Sequence, residues 1–403
     1  MSTKTLYTGD ATITDEGIAE LRGRMGKVYP ARPWITIATL DAIVHFADGV
    51  GDDNPLFHDP AYARLTRYKK VIAPPTFVYV FCSAGFGPAY GGLPGVYSLY
   101  SEDTFEFHKP VSEGGRYTAD EELVGVEVKP SQWSGRAVHQ LIESRFYDQR
   151  GNVIAKRRSR RVRGERGAAR EHKKYAPWAP YRYSKKEIER ISTDYLDEFR
   201  RGAEVLYWED VPPEGTQIPS IVKGPLTVTD MVTWMMGWGS PLCKTNKIAW
   251  QYYRKHPGAA IYDPDTNIPD LAEAAHWDVK RAQMGGVPGP YDIGPQRVSW
   301  YAQMLTNWIG DSGWLSRLSV QIRRPNLVGD TTRLQGKVSR KYVEGGQALV
   351  DVEVWGTNQR GEVNSSGTAT VMLPSKLRSR QTRRAEVVKP LPAGTGKSTG
   401  HVG

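Results

Sequence analysis

Cysteine is nearly absent from this 403-residue chain. Cys82 and Cys243 are the only two, so neither a disulfide framework nor a thiolate metal cluster is available. Nowhere do eighteen apolar residues run together, which argues against a membrane-spanning helix. The opening Met1-Ser2-Thr3-Lys4-Thr5 lacks the apolar core of a secretory signal, and a cytoplasmic protein is expected. No zinc-finger spacing or nucleic-acid fingerprint accompanies the net charge of +10, whose excess is local. One run holds Lys156, Arg157, Arg158, Arg160, Arg161, Arg163 and Arg166, and a second spans residues 376–384 ahead of a Pro/Gly-rich tail. Such runs are ordinarily solvated segments, and a small phosphate-bearing ligand matches them better than nucleic acid does. Hydrophobic residues at 39% and charged residues at 24% give an ordinary globular composition, with length for two or three domains.

What the chain does have is a repeat. Phe105-Glu106-Phe107-His108-Lys109-Pro110 returns as Val320-Gln321-Ile322-Arg323-Arg324-Pro325, an offset of 215. Asp148-Gln149-Arg150-Gly151-Asn152-Val153 returns as Asn358-Gln359-Arg360-Gly361-Glu362-Val363, an offset of 210. Two copies in the same order indicate duplication, not a solenoid.

Each half therefore reads as one domain. In the first, Trp34–Ile37 is expected as a short strand, residues 39–50 as a helix, and residues 77–86 as an apolar helix opened by Pro74-Pro75. Strands follow over 100–107, 116–129, 135–148 and 153–162. The second half repeats the order: residues 225–238 are expected as strand then helix, Gly294-Pro295 opens a helix to Ile309, and strands fill 318–372. That helix spaces Val298, Tyr301, Ala302, Leu305, Trp308 and Ile309 by threes and fours, a face suited to being wrapped by a sheet. Domains are expected at 1–165 and 205–374. The connector 166–204 carries the capping box Ser184-x-x-Glu187 and a docked helix, and residues 375–403 form a basic, disordered tail. The architecture is α+β, and Trp234, Trp238, Trp300 and Trp308 are expected in the core.

Gly51-Asp52-Asp53-Asn54-Pro55-Leu56-Phe57-His58-Asp59-Pro60, with Val71-Ile72-Ala73-Pro74-Pro75-Thr76-Phe77, resembles the FAS1-like N-terminal domain of MaoC-like double-hotdog dehydratases. Gly224-Pro225-Leu226-Thr227, His276-Trp277-Asp278 and Tyr291-Asp292-Ile293-Gly294-Pro295-Gln296-Arg297 look like their C-terminal domain. The resemblance implies a tandem hotdog fold, each half a long helix wrapped by an antiparallel sheet. It further implies hydration or dehydration of acyl thioesters, usually of coenzyme A, with no cofactor beyond the coenzyme A of the substrate. Such chains act alone as pseudo-dimers or pair further into homodimers and higher homo-oligomers. Neither nucleic acid nor membrane is an implied partner.

The family's motif, Gly-Asp-x-Asn-Pro-x-His-x-Asp, departs in both halves. In the first, Phe57 stands where the His belongs and His58 is displaced by one. Asp53 and His58, with Asp52, form one candidate pair, and Thr76 would donate to an oxyanion because Pro75 has no N–H. In the second, His276-x-Asp278 is intact and Gly294 opens the helix, but an insertion at about 240–274 replaces the Asp-x-Asn-Pro part. His276 is the favoured base, partnered by Asp292 or Asp270, with Gly294 as oxyanion donor, since imidazole titrates near neutrality and helix N-termini face negative charge. Candidate substrate-binding residues are Asn54, Tyr291, Arg297, Arg323 and Arg324, the last two toward the coenzyme A phosphates. Tyr252, Tyr253 and Tyr262 of the insertion would favour a bulky or aromatic acyl group.

The expected reaction converts a 2-enoyl-CoA to a 3-hydroxyacyl-CoA. The alternatives are a non-catalytic acyl-thioester-binding module or subunit that supports a separate dehydratase and, ranked last, a thioesterase.

Overall fold

The computed structural model describes residues 11–377 except 84–86, 132–134, 166, 169–176 and 264. The end of the expected apolar helix, much of the early connector and the tail beyond residue 377 lie outside the described residues.

Among the described residues there are twelve strands: β1 Val28–Pro30, β2 Tyr97–Phe107, β3 Tyr117–Ser131, β4 Gly135–Asp148, β5 Val153–Gly164, β6 Gln217–Lys223, β7 Ala260–Tyr262, β8 Pro269–Leu271, β9 Trp314–Ile322, β10 Thr332–Glu344, β11 Gln347–Asn358 and β12 Val363–Met372. All but β7 and β8 form one antiparallel sheet in the order β1-β3-β4-β5-β2-β9-β12-β11-β10-β6. The duplication is visible in that order. Two five-stranded halves meet where β2 pairs β9, and Thr104 sits opposite Ser319, its own repeat partner at the 215 offset. Their hydroxyls bond at 2.9 Å, so a local pseudo-twofold passes between them.

The helix Gly294–Ile309 is the centre of the second half. Fourteen of its residues are buried, including Tyr301, Leu305 and Ile309, as a helix wrapped on every side requires. Its counterpart in the first half is a single 3-10 stretch, Pro75–Phe81, not the helix over 77–86 that the apolar run suggests. Pro74 and Pro75 withhold two donors, and the β-branched and aromatic residues that follow are weak helix formers. Every side chain from Thr76 to Phe81 is nevertheless buried. Trp34–Ile37 forms no strand; a lone bridge joins Ile37 to Arg116, and Trp34 is exposed. In the second half the strand β6 ends at Lys223, ahead of Gly224-Pro225, and Thr227 then caps the helix Val228–Trp238.

That helix crosses Leu40–Val50 of the first half at very close range. A Cβ on Gly237 would stand 2.2 Å from the His45 carbonyl oxygen, and one on Gly49 would stand 3.1 Å from the Trp234 Cα. Trp234 and Trp238 fill the space beside this crossing, and all four expected tryptophans are buried. The capping box at Ser184 is complete and starts the helix Lys185–Leu196. It rests on the β6 edge, where Tyr195 donates to the Gly224 carbonyl and Arg333 pairs Asp194, but its Ile188 and Tyr195 stay partly exposed.

The basic run of residues 156–163 is not a solvated segment. It is β5, and four of its arginines are held by partners: Arg157 by buried Asp103 at 2.7 Å, Arg158 by Glu143, Arg160 by Glu102, and Arg163 by Gln140 and by the Leu93 and Val96 carbonyls.

Because backbone lies on the far side of the helix crossing, Gly237→Ala cannot be relieved by a rotamer change. We expect it to cost about 1–3 kcal/mol, read as a lower Tm in thermal unfolding.

Candidate active site

Two helix ends define equivalent points in the two halves. Gly51 and Gly239 both close their helices in the left-handed region, at φ 72° and 68°. Asp52, the motif carboxylate, follows Gly51; Ser240 follows Gly239. The second half thus carries Ser240 where the first carries the motif aspartate, and a carboxylate of the insertion lies beside it. Ser240 donates from Oγ to Glu273 Oε2 at 3.4 Å, and the Cys243 Sγ lies 3.9 Å from the same oxygen.

Glu273 and His276 belong to one 3-10 turn, Ala272–His276. Side chains three apart eclipse in such a turn, so the two share a face. Asp278, like Asp59 in the first half, caps the short helix after it. The His276 Nδ1 lies 2.8 Å from the Tyr291 carbonyl oxygen, and its ring packs on the Tyr291 ring at 4.4 Å between centroids. With Nδ1–H donating to that carbonyl, Nε2 retains its lone pair; the tautomer is assigned from this bond. Burial pushes the imidazole below its ordinary value, opposed by the Tyr291 carbonyl and Asp292 and reinforced by Arg161. Burial likewise pushes the Glu273 carboxyl up to about 7, against the lowering effects of Ser240, Arg161 and Cys243.

The opposite wall comes from the first half. Tyr100 on β2 and Arg161 on β5 are cross-strand partners beside a bulge at Ser101, a device that re-aims side chains. The Arg161 guanidinium lies 5.3 Å from the Tyr100 ring centroid and 5.6 Å from that of Tyr90. Tyr100 in turn packs on the helix start, where a Cβ on Gly294 would stand 2.1 Å from the ring. Only glycine fits there. A cleft of about 340 Å³ between the two crossed helices reaches Ser240 and Cys243, bordered by Trp34, His45, Met235 and Met236.

Several expected residues lie elsewhere or are committed. Asp292 does not face His276 as a partner: it is buried against Arg297, at 2.5 Å and 2.6 Å, and also accepts the Asn326 N–H. Arg297 is spent on the same brace and on the Arg324 and Asn364 carbonyls, so it does not face a substrate. Asp270 sits on β8 with Arg281 3.9 Å away. Tyr252, Tyr253 and Tyr262 pack within the insertion's own small core rather than toward an acyl group. Arg323 and Arg324 are exposed, and Arg324 pairs Glu362.

The first-half motif is assembled differently from the expected Asp53–His58 pair. Asp53 is exposed and paired to Arg200, while His58 Nε2 lies 2.6 Å from the Asp52 backbone oxygen. Asn54 caps the turn Pro55–His58. Asp52 is buried, accepts the Asn54 N–H and faces Lys223; burial pushes its carboxyl up to about 6. Thr76 is fully buried, its Oγ1 without a partner. The cavity beside this loop, about 40 Å³, is lined mainly by apolar groups such as Leu56, Phe57, Pro75, Val78 and Leu315, with Asn54, Lys109 and Asp311 among the polar ones. Among the described residues no three His, Cys, Asp or Glu side chains gather as metal ligands, and no helix is long and apolar enough to cross a membrane.

The sequence model of the FAS1-like dehydratase domain region matches residues 25–157. A "UPF0336 protein" of Streptomyces avermitilis is 30% identical over 107 residues, which cover 26% of this chain and 71% of that protein. A "Probable enoyl-CoA hydratase alpha subunit" of Thermomonospora curvata is 29% identical over 139 residues, 30% of this chain and 43% of that subunit. The chain thus spans less than half of the latter's length. Among solved structures, a "MaoC-like dehydratase" aligns with a TM-score of 0.61 at 20% identity, covering 88% of this chain and all of its own. A Mycobacterium tuberculosis protein described as a double hotdog aligns with a TM-score of 0.52 at 10% identity, covering 87% and 96%. The chain belongs to the MaoC-like hotdog dehydratase family, and its fold is the double hotdog.

A carboxyl raised from 4.5 to about 7 in the folded state favours folding while protonated. That contribution is complete below pH 4.5 and is lost as pH rises through about 7. Glu273→Gln removes the ionisation, so the variant is expected to exceed wild type by about 1–3 kcal/mol at pH 8 and to match it near pH 4, as followed by urea unfolding at both pH values.

Proposed function

We propose that the protein interconverts a 2-enoyl-CoA and a 3-hydroxyacyl-CoA, with His276 and Glu273 as the acid–base pair. The observation that carries this reading is the shared face of Glu273 and His276 on one 3-10 turn, tethered through Tyr291 beside the start of the Gly294–Ile309 helix. In the dehydration direction the Nε2 of His276 takes the proton from the carbon next to the thioester carbonyl. The protonated Glu273 carboxyl gives its proton to the departing hydroxyl, and water leaves as the double bond forms. Negative charge gathering on the carbonyl oxygen meets the helix start, where the Gly294 N–H and the dipole favour it. Hydration is the reverse, with a water between the two side chains. The scheme requires no cofactor. The cleft at Ser240 and Cys243, with exposed Trp34 and Met236 on its border, supports a path for the thioester arm.

The test follows loss of conjugated thioester absorbance on short, branched, aromatic and steroid-like 2-enoyl-CoA substrates. His276→Ala and Glu273→Gln are each expected to lower kcat about 10²–10⁴-fold, while His58→Ala stays within a few-fold of wild type. Dehydration needs neutral His276 and protonated Glu273, so its kcat/KM should fall as pH rises above about 7. Loss of activity in His58→Ala with His276→Ala unaffected would move the chemistry to the first half.

A further inference from the structure

Among the described residues Arg161 has no counter-ion. Among the described residues its guanidinium meets no carboxylate within ion-pair distance and no hydrogen-bond acceptor, and its buried Nε is unsatisfied. Its neighbours on β5 contrast with it: Arg157, Arg158 and Arg160 each have a carboxylate. What Arg161 has instead is two tyrosine rings, Tyr90 and Tyr100, that fix the plane of the cation without neutralising it. Keeping a guanidinium in a partly desolvated place with no anion is costly, so an anion is expected from outside the chain.

The duplication supplies an internal control. At offsets of 215 and 210, the positions of Tyr100 and Arg161 recur as Leu315 and Val371, which are also cross-strand partners beside a bulge. Even the bulge residues correspond: Ser101 donates to the Arg160 carbonyl and Ser316 to the Thr370 carbonyl. Leu315 lines the apolar cavity at the first-half loop. The fold at this place therefore accepts an apolar pair, and the cation occurs only at the end that holds His276, Glu273 and Gly294. Glu273 is near enough for Arg161 to lower its carboxyl somewhat, but the two form no ion pair or hydrogen bond, and burial outweighs that pull.

We propose that Arg161 binds a carboxylate carried by the acyl group, so that the substrates are 2-enoyl-CoA thioesters with a second, negatively charged end. Guanidinium and carboxylate match in a two-pronged hydrogen-bonded pair, which lysine cannot form. The inference rests on the hydratase reading for the place of the acyl group. Its first test is nevertheless a binding measurement that needs no turnover.

Calorimetry with two saturated thioesters of equal chain length, succinyl-CoA and butyryl-CoA, reads the preference directly. Wild type is expected to bind succinyl-CoA about 10- to 100-fold more tightly, Arg161→Gln to bind both alike, and Arg161→Lys to keep part of the preference. Equal affinities in wild type overturn the proposal, and that comparison requires no variant to fold. In turnover, Arg161→Gln should lower kcat/KM on fumaryl-CoA about 10-fold or more beyond any loss on crotonyl-CoA. Equal losses on both would mean that Arg161 serves the reacting carbonyl of every substrate, which also overturns it. Absence of turnover on every thioester, with the succinyl preference intact, would sink the hydratase reading and leave the anion site standing.

Discussion

The pairing of β2 with β9 is the interaction on which the other arrangements depend. Five residue pairs, from Glu102 opposite Gln321 to Glu106 opposite Arg317, join two five-stranded halves into one sheet. The hydroxyls of Thr104 and Ser319 meet across its centre. Because the strands that meet are repeat partners, each half presents its β2- or β9-type strand to the helix end of the other. Tyr100 of the first half reaches Gly294 of the second, and Leu315 of the second reaches the Phe57 loop of the first. Neither site could be built by one half alone. A slip of one residue at this seam would turn Thr104, Ser319 and their neighbours to the wrong faces.

Given that geometry, the halves have diverged by substitution at equivalent points. One end combines Ser240, the insertion's Glu273, His276, Tyr100 and Arg161. The other combines Asp52, Phe57, Leu315 and Val371, keeping the motif's carboxylate but surrounding it with apolar side chains and a lysine. A carboxylate, an imidazole and an arginine thus gather at one end, while the cavity at the opposite end is lined mainly by apolar groups.

Much of this was legible in the sequence because it depends on local pattern. The helix to Ile309 follows from apolar spacing and a Gly-Pro start, the strand Gly135–Asp148 from its flanking turns, and the duplication from direct comparison. The first-half helix was overread: apolar content alone does not distinguish a helix from a short 3-10 segment when two prolines and β-branched residues are present. Glu273 stands three residues before His276, whereas the family's motif places its carboxylate five positions before the histidine. Only the 3-10 geometry of Ala272–His276 gives that spacing meaning. Arg161 was hidden in a charge run that looked solvated, and strand alternation with the Ser101 bulge is what separates it from its paired neighbours.

The first-half motif retains its residues for a mechanical reason. Lys223 at the end of β6 donates to the Val50 and Gly51 carbonyls, and Gln303 on the central helix donates to Gly51 as well. Glu198 of the connector accepts from Gln303 and Asn307. Asp52 faces Lys223 within this buried group, where desolvation raises one and lowers the other. Removing either charge alone would strand its partner away from water, the costly case for buried ions. Replacing Asp52 would therefore weaken the hold between the halves before it touched any chemistry, and the loop that carries the motif acts as the latch opposite the β2–β9 seam.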